Sequence, residues 1–378
     1  MRRQLQPAPL QRLRPRLISP QAVVFKAKDD RLSEAEKLAK KLEPSLAKAI
    51  FDLLSKLRNA ADIDAIMAAL QSGDVGKVIS AIASMDIGPQ QERLATAIQD
   101  AVWGGGALAA TEINRISGAH FIFDKLNPRL ITWLKTYDLN LIRQITDETK
   151  EVVREKLITG MTAGENPVAV AKEIKGAIGL TQKQAKAVSN FRRELETFHL
   201  KTKASGYNLG AKIDRVNGRQ VFKPSEDGTP QDGIDNRRLR DFRYDGQLKR
   251  AMDTSTPLSQ AQIDKMVDAY EKKYLAFRAQ TIARTEALRT TNYGVQDGWR
   301  QAVETGKANE TLVRRKWVVA VDERLCEVCS PIPGMNPQKG VKFDQPFGTP
   351  KGPVMLPPIH PNCRCTIFMR QYEPEQLA

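Results

Sequence analysis

Hydrophobic positions recur at helical spacing along most of the chain and then stop. Leu38, Leu42, Leu46, Ile50 and Leu53/Leu54 keep a three-to-four spacing, which predicts a helix with one apolar face. Pro44 falls inside that run and is accommodated if a new helix starts there. Leu139, Ile142, Ile145, Thr149, Val152/Val153 and Leu157 form a second stripe, ended by Gly160. A third covers Ile263, Val267, Tyr270, Tyr274 and Phe277 and runs on towards Arg289. The stretch Gly164 to Ala185 reads as a helix, a glycine turn and the start of another helix. Val168, Val170 and Ile174 serve there as core, so it reads as two packed helices and not as a DNA-reading helix-turn-helix. Gly104-Gly105-Gly106 is not followed by the Lys-Ser/Thr of a phosphate loop and reads as a helix break.

Two regions depart from this period. Between 201 and 256 it is lost, and Gly206, Gly210, Gly218, Gly228, Gly233 and Gly246 mark a loop-rich insertion. Near the end, Trp317 to Val321 reads as a short buried strand entered from Arg314, Arg315 and Lys316. The prolines agree: Pro89, Pro128 and Pro167 bound two proline-free stretches of 38 residues, whereas nine of the 21 prolines fall between Pro331 and Pro361. The first pattern permits long helices and the second forbids them. The expected fold is mainly α, an elongated helical body with a small α+β, zinc-supported C-terminal lobe. Its segments are a basic extended arm (1–31), an N-terminal helical region (32–120), a helical body (121–200), a loop-rich basic insertion (201–256) and a C-terminal domain (257–378).

Charge adds a partner class. The 378 residues carry 59 Lys+Arg against 44 Asp+Glu, a formal net charge of +15. Residues 1–31 hold 8 basic and 2 acidic groups and 161–250 hold 18 and 11, whereas 32–160 are nearly neutral at 16 and 17. Arg2, Arg3, Arg12, Arg14 and Arg16 precede any acid, and four prolines deny the arm an amphipathic helix, so it reads as a phosphate-binding tail. Arg237, Arg238, Arg240 and Arg243 interleave with Phe242 and Tyr244 in the insertion. Asp232, Asp235, Asp241 and Asp245 dilute them, which slightly favours a solvated loop over a DNA-tracking one. No run approaches the ~18–20 apolar residues of a spanning helix, and the N-terminus lacks the apolar core of a secretory signal. A soluble, intracellularly made protein with no membrane partner is expected.

All four cysteines lie in the last 53 residues, as Cys326-x-x-Cys329 and Cys363-x-Cys365, with His360 three positions before Cys363. A tetrahedral Zn²⁺ needs four S or N donors, and a C-x-x-C turn supplies two at a suitable bite. The proline-rich strip between the pairs has no helix or ladder to hold it, and a metal can. Five donors compete for four positions: the four thiols are the expected set, with His360 as a replacement or an outer partner. The competing reading is free thiols packed against the strand.

Catalytic machinery is missing from the pattern. With three histidines and no G-x-S-x-G, Walker or dinucleotide fingerprint, nucleophilic and phosphotransfer chemistry lack their usual parts, and His120 and His199 read as packed or surface residues. No catalytic or cofactor-binding residue is expected beyond the metal set. The enzymatic alternative is a zinc-supported nuclease or toxin-like effector using His360.

The series Ile282-Ala283-Arg284-Thr285-Glu286, Asn292-Tyr293-Gly294, Lys316-Trp317 with Asp322, Arg324 and Cys326-x-x-Cys329, then Pro357-Pro358-x-His360-Pro361-Asn362-Cys363-Arg364-Cys365, resembles the phage Mu F-like head morphogenesis family. The resemblance covers most of 120–370. It implies a minor head protein of a tailed phage, built into the capsid interior near the portal protein and facing packaged double-stranded DNA, with influence on its retention or ejection. The major capsid or scaffold protein is a further partner it allows. It also implies structural roles for Arg284, Glu286, Trp317 and Asp322, with a salt-bridge or capping function for the first two.

Overall fold

The computed structural model describes residues 30–59, 61–72, 76, 87–118, 120–164, 166–200, 213–216, 219–222, 239–320 and 325–377. The arginines of the N-terminal arm, Arg237, Arg238, Asp322 and Arg324 lie outside them.

Helix α1 (Asp30–Asn59) buries Ala35, Ala39, Leu46, Ala49, Ile50, Leu53, Leu54 and Leu57. It passes through Pro44 without a restart, because that residue sits on the exposed face where its ring meets solvent. After α2 (Ile63–Ser72) comes α3 (Gly88–Ser117), also unbroken. The triple glycine expected to break it lies in its middle, where it crosses the longest helix among the described residues, α8 (Gln260–Glu304, 45 residues). A Cβ on Gly105 would fall 2.2 Å from the Thr291 carbonyl oxygen, and one on Gly294 2.1 Å from that of Val102. Glycine therefore sets the separation of two main chains, as in close helix crossings generally. Where Gly cost helix propensity it gained helix–helix contact.

The second stripe lies on α4 (Pro128–Ala163), which continues past Gly160, the expected stop; a Cβ there would press within 2.7 Å of Val170. Helices α5 (Pro167–Ala177) and α6 (Gln182–Glu196) flank a turn at Gly179, φ +79°. Asn166 caps the first by accepting from the Val168 amide, and a Thr181/Gln184 capping box starts the second. Val170 and Ile174 are buried as expected, whereas Val168, in the first turn, is 46% exposed. Leu57, Ile66, Val153, Leu157, Val170, Ile174 and Ile178 form a satellite core among α1, α2, α4 and α5.

The insertion contains a short antiparallel hairpin, β1 (Ile213–Val216) with β2 (Arg219–Phe222), and ends in a helix, α7 (Asp245–Thr254), that buries Leu248 and Ala251. The glycine count hid both elements. Helix α8 runs fifteen residues beyond Arg289, about 68 Å in all. Its buried stripe leaves the expected line at Phe277, which is exposed, for Leu275, Arg278 and Ala279. It packs along α1 and α3, so the main core is continuous from the N-terminal helices into the C-terminal lobe.

That lobe is a three-stranded antiparallel sheet in the order β4-β3-β5, with β3 Val313–Val318, β4 Val341–Lys342 and β5 Thr366–Gln371, followed by the short α9 (Pro374–Leu377). Strand β3 starts four residues before Trp317 and takes in the basic run expected to precede it. Its burial alternates strictly, with Val313, Arg315 and Trp317 inside. Arg315 is fully buried, donates to the carbonyls of Met355 (2.7 Å) and Gln345, and lies over the Phe347 ring. Burial lowers its pKa to about 10.

Candidate metal centre

Strand pairing places the two cysteine pairs together. The register Val313↔Gln371 through Val318↔Thr366 puts Cys365 immediately before β5, while the chain leaving β3 turns at Cys326. The amides of Cys329 and Ser330 donate to the Cys326 carbonyl at 3.1 and 3.0 Å, and the Cys329 amide also donates to the Cys326 sulfur at 3.3 Å. On the other side, His360 and Cys363 close a turn through a Cys363 N–H to His360 carbonyl bond of 3.2 Å. Asn362 takes φ +59° in it, a conformation Asn tolerates better than most residues.

The donors form two triads that share one residue. Cys326, Cys329 and His360 make the first, and Cys329, Cys363 and Cys365 the second, each with its ligand atoms within 4.8 Å of one another. His360 Nε2 lies 3.1 Å from the Cys326 sulfur and 3.0 Å from that of Cys329, and the Cys329 and Cys363 sulfurs are 3.7 Å apart. Four bonds of about 2.3 Å around Zn²⁺ would separate two sulfurs by about 3.8 Å. His360 Nδ1 lies 2.9 Å from the Pro361 carbonyl oxygen. A carbonyl only accepts, so Nδ1 carries the proton and Nε2 presents its lone pair to the sulfurs.

Cys329, Cys363 and Cys365 are buried. Hydrogen bonds from Cys329 and Cys365 hold the Cys363 thiol far below the usual range, and its bond to Cys363 raises Cys329. Against the lowering effect of Cys329, the bond to Cys363 and burial push the Cys365 thiol up to about 12. A buried, sulfur-rich set with one oriented imidazole fits a soft divalent cation such as Zn²⁺. Contacts of 3.0–3.7 Å link Cys326, Cys329, Cys363 and His360, and Cys365 joins Cys329 and Cys363 in the second triad.

One stretch of α8 holds this centre against the helical body. Arg284 pairs with Glu43 of α1 at 3.0 Å. Thr285 Oγ1 accepts the Asn362 amide at 3.1 Å. Glu286, raised by burial, accepts from Tyr137 of α4 and pairs with Arg289 at 3.4 Å. Asn292 donates to the carbonyls of Cys365 (3.3 Å) and Pro357 (3.4 Å) and accepts the Ile367 amide at 3.1 Å. Tyr293 stacks on Trp133 at 3.6 Å, and Gly294 is the crossing glycine. Successive residues thus reach α1, the cysteine loop, α4 and α3 in turn.

Of the other residues singled out from the sequence, Trp317 adjoins the centre and the rest lie elsewhere. Trp317 is buried edge-on to Phe347. Arg240 is buried, paired with Asp245 at 3.0 Å and stacked over Phe242. Arg243 is exposed and paired with Asp241 at 2.6 Å. His120 is exposed and His199 half-buried. Sequence reasoning passed over Arg315, Tyr137 and Glu43. Only Arg315 left a signal, its place in phase with Val313 and Trp317.

A family model described as Phage Mu protein F like protein matches residues 253–368. No curated protein and no solved structure matches the chain. The matched segment begins at the end of α7 and ends in β5, so it holds the whole of α8 and every donor of the cluster. The likeness to the Phage Mu protein F like family is therefore carried by this C-terminal third, whose Arg-Thr-Glu and Asn-Tyr-Gly contacts spread over three helices and the cysteine loop.

Proposed function

We propose that the chain is a minor head protein of a tailed phage, seated in the capsid interior near the portal and contacting packaged duplex DNA without reading its sequence. Its role is structural, not enzymatic. The observation that carries this reading is the build of the matched segment, whose signature residues are spent on holding a cysteine loop to a helical body. Zn²⁺ bound by Cys326, Cys329, Cys363 and His360 would brace the proline-rich strip, which, contrary to the sequence expectation, also has a short ladder of its own in β4 and a Phe347–Val354 bridge; structural zinc contributes roughly 10–16 kcal/mol in small domains. The helical body supplies the surface for the portal and, through it, the capsid shell. The arm with Arg2, Arg3, Arg12, Arg14 and Arg16 supplies DNA affinity that falls steeply with salt and contributes to retention or ejection.

The nuclease or effector alternative needs a histidine free to accept a proton. His360 has one ring nitrogen on a carbonyl and the other on two sulfurs, which leaves it no general-base role. Cryo-EM of purified heads tests the location: density for this chain inside the shell beside the portal is expected, and density only outside the shell would overturn the reading. Plasmid incubated with the protein and divalent metals should remain uncut.

A further inference from the structure

The three-stranded sheet has two faces of opposite character. Val313, Arg315 and Trp317 of β3, Val341 of β4, and Ile367 and Met369 of β5 are buried on one. Arg314 and Lys316 of β3, Lys342 of β4, and Phe368 and Arg370 of β5 alternate onto the other. The register sets Arg314 directly opposite Lys342 on one side and Arg370 on the other, with Lys316 opposite Phe368. Three cations therefore form a row across the sheet, and a fourth stands two residues along β3.

Like charges directly opposite one another weaken a strand pair, and the usual remedy is an interleaved carboxylate. Among the described residues none of the four has one. Arg314 donates to the carbonyls of Thr311 and Val313 at 2.8 and 2.9 Å, and Arg370 lies 5.4 Å from the centre of the Tyr372 ring. The nearest acid along β4, Asp344, is paired with Arg300 at 2.7 Å. With strands about 4.8 Å apart the row spans about 10 Å, and Lys316 lies about 7 Å along the strand. A protein partner would meet a poor surface here, because the centres of protein interfaces are depleted of Lys and enriched in apolar groups. A phosphodiester backbone, with a negative charge every few ångströms, meets a matched one.

We propose that this sheet face is a phosphate-binding platform for duplex DNA, formed by Arg314, Lys316, Lys342 and Arg370. It rests on the reading of the chain as DNA-facing and adds a surface in the matched segment to the N-terminal arm. The contacts are to the backbone, so binding is independent of sequence.

Fluorescence anisotropy of the full chain with a short labelled duplex, across a salt series, tests this. Lys316→Gln/Lys342→Gln/Arg370→Gln should lower the log–log salt slope by about 2.7, and weaken binding on the order of a hundredfold at 0.1 M salt. Lys135→Gln/Lys183→Gln/Lys186→Gln removes the same charge from exposed helix positions and should leave both nearly unchanged. If the triple sheet variant does not fold, Lys342→Gln and Arg370→Gln singly, both at exposed positions, should each lower the slope by about 0.9. A sheet variant that binds like wild type would overturn the platform while leaving the DNA-facing reading on the arm. No binding by wild type would overturn both. A sheet variant that loses only binding to polyglutamate would overturn the platform in favour of an acidic protein.

Discussion

The α3/α8 crossing and the cysteine lobe meet along the same helix, yet they are held in opposite ways. At the crossing, main chain is pressed on main chain through Gly105 and Gly294, with no side chain between. In the lobe, a strip with nine prolines has only the two-residue β4 and one Phe347–Val354 bridge as ladder, and otherwise hangs from side chains: Thr285, Asn292, Arg315 and the thiol–imidazole cluster. The first is damaged by adding atoms and the second by removing them. One helix serves both because its C-terminal half is buried on nearly every face.

The largest effect tests the crossing. Gly294→Val must separate two backbones and should destabilise the protein by about 3 kcal/mol or more. Gly104→Ala, whose Cβ would meet only the tip of Leu38 at 2.7 Å, should lose about 1 kcal/mol or less. Equal denaturation midpoints for the two variants would break the comparison.

On the lobe side, Cys329→Ser removes the residue shared by both triads. Amide exchange should rise at least about a hundredfold, or about 2.7 kcal/mol, in 325–365, with the far-UV helical signal kept. A chelator should do the same to wild type. Helix loss in step with the lobe would show that the two regions are not separable. Asn292→Ala, which strands two carbonyls and an amide in the interior, should cost about 2 kcal/mol by chemical denaturation.

The smallest effect concerns the buried charge of the helical side. Glu271 pairs with Arg58 beneath Gly176, and burial raises its carboxyl to about 7 despite that partner. Between the ordinary carboxylate range and pH 7 the folded state binds the extra proton. Stability therefore falls as pH rises through that window and is flat above it. Glu271→Gln should remove that slope in melting temperatures taken from pH 5 to 8.

Periodicity made the helices legible but not their ends. Pro44, Gly104–Gly106 and Gly160 each read as an interruption because local propensity was weighed without the neighbour: solvent for the proline, a second backbone or Val170 for the glycines. The stripe of α8 faded after Tyr274 because a helix surrounded on all sides has no polar face, and Thr285, Glu286, Asn292 and Asp297 are buried there. The donors of the candidate site were readable from cysteine spacing alone. The orientation of His360 was not, since spacing does not show that its Nδ1 lies on a carbonyl and its Nε2 beside two sulfurs. The cationic sheet face stayed hidden for a similar reason: Arg314, Lys342 and Arg370 are distant in sequence, and only the strand register aligns them.

The central claim is that a metal braces the matched segment, and elemental analysis of anaerobically purified full-length protein measures it directly. The account predicts one equivalent of zinc per chain, falling sharply in Cys329→Ser and His360→Ala but not in Cys365→Ser. Less than about half an equivalent in wild type, or a His360→Ala variant that keeps its full complement, would contradict it.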